Sequence, residues 1–203
     1  MSIVAASVAA QAAALLSGWW SRPLAAELAS WDASWPAAAE VAEALGLDSG
    51  PVEELAAHAA GSNADELLDE YERLFVGPGR TPCPPYESLW LGSQPRLEQG
   101  RLMSAASVAV ADLYRGLGFD VAATVHELPD HVAIELEALA VALRAEGAAA
   151  EEARGTLLHE HLLSWLPALC DAVEREARPP FYTVLARVTT AWVERLARDV
   201  PVP

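Results

Sequence analysis

One short stretch, HELPDHVAIELEAL from His126 to Leu139, gathers residue types that could do chemistry. His131 and Glu135 are four positions apart and so share a helical face. Val132, Leu136, Leu139 and Leu143 fall on a separate, apolar stripe. An imidazole and a carboxylate so spaced suit three roles: acid/base work, recognition of a guanidinium by carboxylates, or a surface salt bridge. Leu128-Pro129-Asp130 reads as a helix start. Pro129 suits a first-turn position and Asp130 the positive end of the helix dipole, while Glu127 adds another acid nearby.

A second stretch, LFVGPGRTPCPPYESLWLG from Leu74 to Gly92, interrupts an otherwise helix-forming chain with four prolines and three glycines. Proline fixes φ and glycine permits backbone that other residues avoid. A loop so stiffened can hold Tyr86 and Trp90 at low entropic cost, with Pro85, Glu87 and Ser88 beside them. It reads either as one wall of a binding site or as a plug for the end of a helical bundle.

Two other sets carry less. His159 and His161 are two positions apart, so on one helix their rings point about 200° apart and cannot share a metal. No metal site is expected. Cys83 and Cys170 have no C-x-x-C partner, and two cysteines suggest a reducing compartment.

The elements that must position these residues are helices. Helical period dominates over residues 2–20, 23–30, 36–46, 51–60, 63–76, 97–117, 130–146, 151–176 and 180–199. Apolar stripes recur at Leu67, Leu68, Tyr71, Leu74 and Phe75; at Met103, Ala106, Val110, Leu113 and Leu117; and at Leu158, Leu162, Trp165 and Leu169. The last runs through Phe181, Leu185, Val188, Trp192 and Leu196. Ser62 and Asn63 can cap the fifth run, Gly77-Pro78 ends it, and Pro51 suits a first turn. The expected fold is all-α, a single domain over residues 1–203 built as a bundle of eight or nine helices. Trp165 and Trp192 read as core; Trp19, Trp20, Trp31 and Trp35 read as core or groove wall.

Composition narrows function. There are 29 acidic and 13 basic residues, a formal charge of −16, and every basic residue is arginine. Without lysine there is no P-loop and no Schiff-base chemistry. A chain this acidic lacks the footprint for nucleic acid and favours a cationic partner. No run reaches the ~18 apolar residues of a membrane span. The N-terminal helix lacks the basic n-region of an export signal, so the expected location is cytoplasmic.

Taken together, YERLFVGPGRTPCPPYESLWLG, then ELPDHVAIELEAL, then HEHLLSWLPALCDAVEREARPPFYTVLARV with its H-x-x-x-W-x-P spacing, resemble the TorD/DmsD/NarJ family of redox-enzyme maturation chaperones. The resemblance spans about residues 60 to 195; the first 60 match only in being helical. It implies an all-α cytoplasmic chaperone without catalytic activity or cofactor. Its partner would be the apo-form of a molybdenum-cofactor (DMSO-reductase type) oxidoreductase catalytic subunit, bound through its twin-arginine leader or another segment before cofactor insertion and export. Residues matching the family's leader-binding region are Pro85, Tyr86, Glu87, Ser88 and Trp90 in one motif, and Pro129, Asp130, His131 and Glu135 in the other.

The residues fit such a ligand. Two guanidinium groups followed by an apolar stretch call for carboxylates beside a hydrophobic groove. On this reading Tyr86 and Trp90 line the groove, and Glu87, Asp130 and Glu135 meet the arginines. Alternatives are a NarJ-like assembly chaperone that reads no twin-arginine leader, a hydrolase using His131 with Glu135 or Asp130, and a nucleotide-binding regulator. The hydrolase lacks a G-x-S-x-G elbow and a metal-ligand set, and the regulator lacks a P-loop. The expected assembly is a monomer or a domain-swapped dimer.

Overall fold

The computed structural model describes residues 3–78, 81–91, 105–119, 121 and 127–203. Gly79, Met103 and His126 lie outside them. The described chain forms nine α-helical segments: α1 (Ile3–Trp19), α2 (Ala25–Ala44), α3 (Gly50–Gly61), α4 (Ala64–Tyr71), α5 (Ala105–Gly116), α6 (Val132–Arg144), α7 (Ala148–Gly155), α8 (Leu163–Glu176) and α9 (Pro180–Asp199). A π-helical turn, Glu72–Val76, extends α4, and another, Thr156–Leu162, joins α7 to α8. Counted through these turns there are eight continuous helices, within the expected range. The one strand-like feature among the described residues is an isolated antiparallel bridge between Tyr86 and His131.

Central to the bundle is α6, buried on nearly every side; of its first twelve residues only Glu137 and Val141 escape full burial. Its closest neighbour is α1. The small side chains of Ala9, Ala10, Ala12 and Ala13 let the two backbones approach, and Ser17 Oγ pins them by donating to Ala133 O at 2.8 Å. On the other side α9 packs against α8, α3 and α1. Its stripe of Phe181, Leu185, Val188, Trp192 and Leu196 is buried throughout, as the spacing predicts.

Of the N-terminal tryptophans, Trp19, Trp20 and Trp31 are core, and Trp35 is partly buried against it. Trp31 stacks on Phe181 with centroids 5.3 Å apart, and Trp19 stacks on Trp35 at 4.9 Å. Trp20 donates through Nε1 to Thr189 Oγ1 at 2.9 Å, so its one polar atom is satisfied inside the bundle.

The sequence predicts a break between 30 and 36, and α2 instead runs unbroken through Pro36. An interior proline costs a helix ~3 kcal/mol. Here Pro36 and Asp32, one turn back, both lie on the exposed face, where water can serve the carbonyl that loses its partner. Trp31 and Trp35, packed just ahead of it, hold the helix in line. The caps of the fifth run agree with expectation: Asn63 and Glu66 form a capping box, and Gly77 follows the π turn with φ of +89°.

Candidate functional site

The proline-stiffened corner, residues 81–91, is clipped to the start of α6 by its backbone. Val132 N–H donates to Pro85 O at 2.9 Å, and Glu87 N–H donates to Asp130 O at 3.0 Å. Asp130 Oδ2 then accepts from Ser88 N–H at 3.1 Å, at the mouth of a short 3-10 turn, Glu87–Leu89. Tyr86 meets His131 edge to face, 5.3 Å between rings, and its hydroxyl donates to Glu127. Trp90 Nε1–H donates back to Pro84 O at 2.7 Å, fixing the indole against its own loop. From α5, Tyr114 donates its hydroxyl to Pro129 O at 2.8 Å.

Beneath this corner lies a cluster of buried acids. Glu87 is 1 % exposed, and Asp130 and Glu135 are 0 % exposed. Glu87 accepts from His161 Nδ1, which stands 2.9 and 3.0 Å from its two oxygens. A carboxylate only accepts, so that nitrogen carries the hydrogen. Glu135 Oε2 accepts from Trp165 Nε1–H at 3.1 Å. His161 and Trp165 are four positions apart, one before and one after the join between the π turn and α8. The H-x-x-x-W spacing therefore places one donor under each glutamate.

The cluster is rich in carboxyl groups and not fully satisfied. Ser88 Oγ, Asp130 Oδ1, His131 Nε2 and Glu135 Oε1 are buried without a hydrogen-bond partner. Burial first, and the charge of Glu87 second, hold the Glu135 carboxyl well above the usual carboxylate range; the Trp165 bond offsets part of this. Burial therefore favours the uncharged form of Glu135. Burial pushes His131 down to about 4, against weaker upward pulls from Glu127 and Asp130. His131 is also neutral, with its proton on Nε2, because Nδ1 accepts from Ala133 N–H at 3.2 Å.

These positions correct two expectations. The helix begins at Val132, with His131 as its N-cap, so Pro129 and Asp130 lie in the turn before it and Asp130 holds the corner. His131 and Glu135 do not form a surface salt bridge. Each is buried and engaged elsewhere, His131 on the helix start and Glu135 on Trp165, so the acid/base pair of the hydrolase reading is not assembled. The apolar stripe of Val132, Leu136, Leu139 and Leu143 is buried, but so is the face that carries Glu135.

The two predicted motifs do come together. Tyr86, Ser88, Trp90 and Pro129 form a half-exposed strip, with Pro85, Glu87, Asp130, His131 and Glu135 as its buried underside. Sequence reasoning set aside His161 because its ring could not share a metal with His159. The rings do point apart, and His159 Nε2 meets Val200 O at 2.8 Å. The signal that could have found His161 is the spacing of H-x-x-x-W itself, a donor pair facing two acids.

Next to this cluster is a cavity of about 210 Å³ between α1, α2, α4 and α6. Its lining includes Arg22, Glu27, Tyr71, Glu127, His131 and Glu137. Among the described residues no group of His, Cys, Asp or Glu has the arrangement of a metal site, and no helix is long and apolar enough to cross a membrane. Both cysteines are buried, and burial pushes the Cys170 thiol up to about 12.

Comparison with known proteins gives four concordant likenesses. The profile of a family described as the nitrate reductase delta subunit matches residues 38–171. The chain is 30% identical over 176 residues to the Tat proofreading chaperone DmsD of Salmonella typhi, covering 85% of this chain and 78% of that one. It is 26% identical over 138 residues to the chaperone protein TorD of Vibrio cholerae, covering 64% of this chain and 60% of that one. Its fold is similar to that of a proposed redox enzyme maturation protein from Archaeoglobus fulgidus, with a TM-score of 0.61, 24% identity, and coverage of 92% and 93% of the two chains.

Proposed function

The chain belongs to the family described as the nitrate reductase delta subunit, and we propose that it is the dedicated maturation chaperone of one molybdenum-cofactor oxidoreductase. It acts as a chaperone and not as an enzyme, in keeping with relatives named as chaperones. The client is the apo-form of the catalytic subunit, held in the cytoplasm until cofactor is inserted, with its N-terminal twin-arginine leader as the segment recognised.

The observation that carries this reading is the corner itself. An aromatic, half-exposed strip of Tyr86, Ser88, Trp90 and Pro129 lies directly over three carboxyl groups, in a chain with a formal charge of −16. Aromatic faces receive the apolar part of a leader. Asp130 and Glu87 set carboxyl oxygens beneath the strip in a poorly solvated site, an arrangement that favours guanidinium over neutral or anionic groups. Pro85, His131 and Glu135 hold the strip in place from below. Direct Arg–carboxylate forks to Glu87, Asp130 or Glu135 require the corner to lift off α6, because all three acids are enclosed when it is seated.

A second reading is assembly of a membrane-anchored molybdoenzyme without use of a twin-arginine leader; the matched family's description as a nitrate reductase subunit favours a role in assembly. Co-purification separates the two. The catalytic subunit of the client, produced with and without its leader, is passed over the immobilised chaperone. Capture that depends on the leader supports leader recognition; equal capture of both forms assigns the contact to the body of the apoenzyme. Capture of neither form overturns the chaperone reading for that client.

A further inference from the structure

The π turn before α8 carries a histidine that the corner does not use. His161 holds Glu87, whereas His159 points the other way and its Nε2–H donates to Val200 O at 2.8 Å. That bond seats the segment after α9, Val200–Pro203, against α7. Gly155 lets the segment come close: a Cβ there would stand 2.9 Å from Pro201 O and 3.2 Å from Pro203 Cδ, tighter than a side chain tolerates. Between α7 and this segment is a cavity of about 460 Å³, lined by Glu151, Glu152, Arg154, Pro201, Val202 and Pro203. Sites for small molecules span roughly 300–1,000 Å³.

Arg154 gives the cavity its chemistry. At 9 % exposed it is the one buried arginine among the described residues. Its Nε–H donates to Ala150 O at 3.2 Å, one turn back along α7, and among the described residues it makes no other hydrogen bond. Arg22, Arg73, Arg115, Arg187 and Arg195 each hold a carboxylate. Arg154 holds none among the described residues, although the exposed Glu151 and Glu152 line the same cavity. A guanidinium stays charged at any ordinary pH, and an enclosed charge without a counter-ion is strongly unfavourable. With Nε committed to the helix, the two Nη groups remain as a fork that matches the two oxygens of a carboxylate.

We infer that this cavity binds a small monocarboxylate with an apolar stem, its oxygens on the Nη groups of Arg154 and its stem against Pro201, Val202 and Pro203. Val202 is 72% exposed, an apolar surface that such a stem covers. Charge sets the class of ligand. One arginine beside Glu151 and Glu152, in a chain of formal charge −16, offsets a single negative charge and leaves a polyanion repelled. The inference is independent of the leader-binding reading, because a cation here cannot serve a leader's arginines.

Titration of the isotope-labelled protein with hexanoate, followed by backbone amide shifts in NMR spectra, tests it. Saturable shifts should centre on α7, Val200 and Val202. Hexanamide, the same stem without the charge, should bind about tenfold more weakly or worse. Arg154→Met keeps an apolar stem in place of the arginine's and should lose hexanoate binding by a similar factor, with helix content unchanged by circular dichroism. Gly155→Ala pushes the closing segment off α7 while leaving Arg154 in place, and should also weaken binding. Absence of saturable shifts with hexanoate, or equal affinity for hexanamide, overturns the inference. So does an Arg154→Met protein that binds hexanoate as wild type does. If that variant does not fold, Gly155→Ala decides: unchanged affinity removes the cavity as the site. Inorganic phosphate that shifts the same amides with equal affinity overturns the carboxylate class.

Discussion

His161 reaches across 74 positions of sequence to set Nδ1 2.9 Å from Glu87 Oε2, inside the protein. Four positions further along, Trp165 does the same for Glu135. The tail motif is therefore the floor on which the two site motifs rest. Its donors determine whether acids can be enclosed there at all, since a buried carboxylate without a partner is strongly unfavourable.

Removing His161 leaves Glu87 buried and unpaired. His161→Ala should destabilise by about 3 kcal/mol, the order expected for deleting one partner of a buried pair. In a chain of this size that lowers Tm by on the order of 10 °C. Thermal melts at pH 7 check it. A loss below about 1 kcal/mol would mean that Glu87 finds water instead.

Glu135 gives a pH signature. Its folded pKa lies above its ordinary 4.5, so between those values the unfolded chain releases a proton that the folded chain keeps. Stability from this group is present below 4.5 and lost as pH rises through the folded pKa. Glu135→Gln, which still accepts from Trp165, should flatten that decline. Urea unfolding across pH 5 to 8 should show the wild type losing stability toward the alkaline end relative to the variant.

His131 carries the opposite sign. Its pKa falls from 6.5 to about 4 on folding, so the unfolded chain takes up a proton that the folded chain refuses. Between pH 6.5 and 4 acid therefore destabilises the fold. His131→Asn keeps an N-cap acceptor for Ala133 N–H and cannot titrate in that range. The variant should unfold less steeply with acid; identical acid limbs for both proteins would assign the acid sensitivity to other groups.

The corner depends on Gly77, whose φ of +89° and ψ of 167° suit glycine alone. Gly77→Ala should cost on the order of 1–3 kcal/mol and loosen the approach of the corner to α6. The check is limited proteolysis between 77 and 91, which should accelerate more than the change in global stability accounts for.

Much of this fold is legible in the sequence because its helices bury regular stripes. Leu158, Leu162, Trp165 and Leu169 need only their spacing, and Asn63 with Glu66 only their capping pattern. Pro36 misleads, because a proline on a solvent face stops a helix only when packing does not carry it through. The nine site residues stand in two motifs that the sequence brings to notice but cannot bring together. Their burial is not legible, since a central helix such as α6 hides even its polar face, and partners such as His161 lie far along the chain. Nor does spacing reveal a cavity that joins Arg22 of the α1–α2 link to Glu27 of α2 and Glu137 of α6.

The central claim is that an acid-backed aromatic strip recognises a cationic leader. Calorimetric titration with a twin-arginine leader peptide, at low and moderate salt, tests it most directly. A micromolar or tighter complex that salt weakens is expected. Arg→Gln changes in the peptide and Asp130→Asn in the chaperone should each weaken it about tenfold or more, whereas Glu135→Gln alone, at a carboxyl that burial biases toward its uncharged form, should change it little. Binding that is indifferent to salt, to the peptide's arginines and to Asp130 would contradict the account and place recognition on the apoenzyme instead.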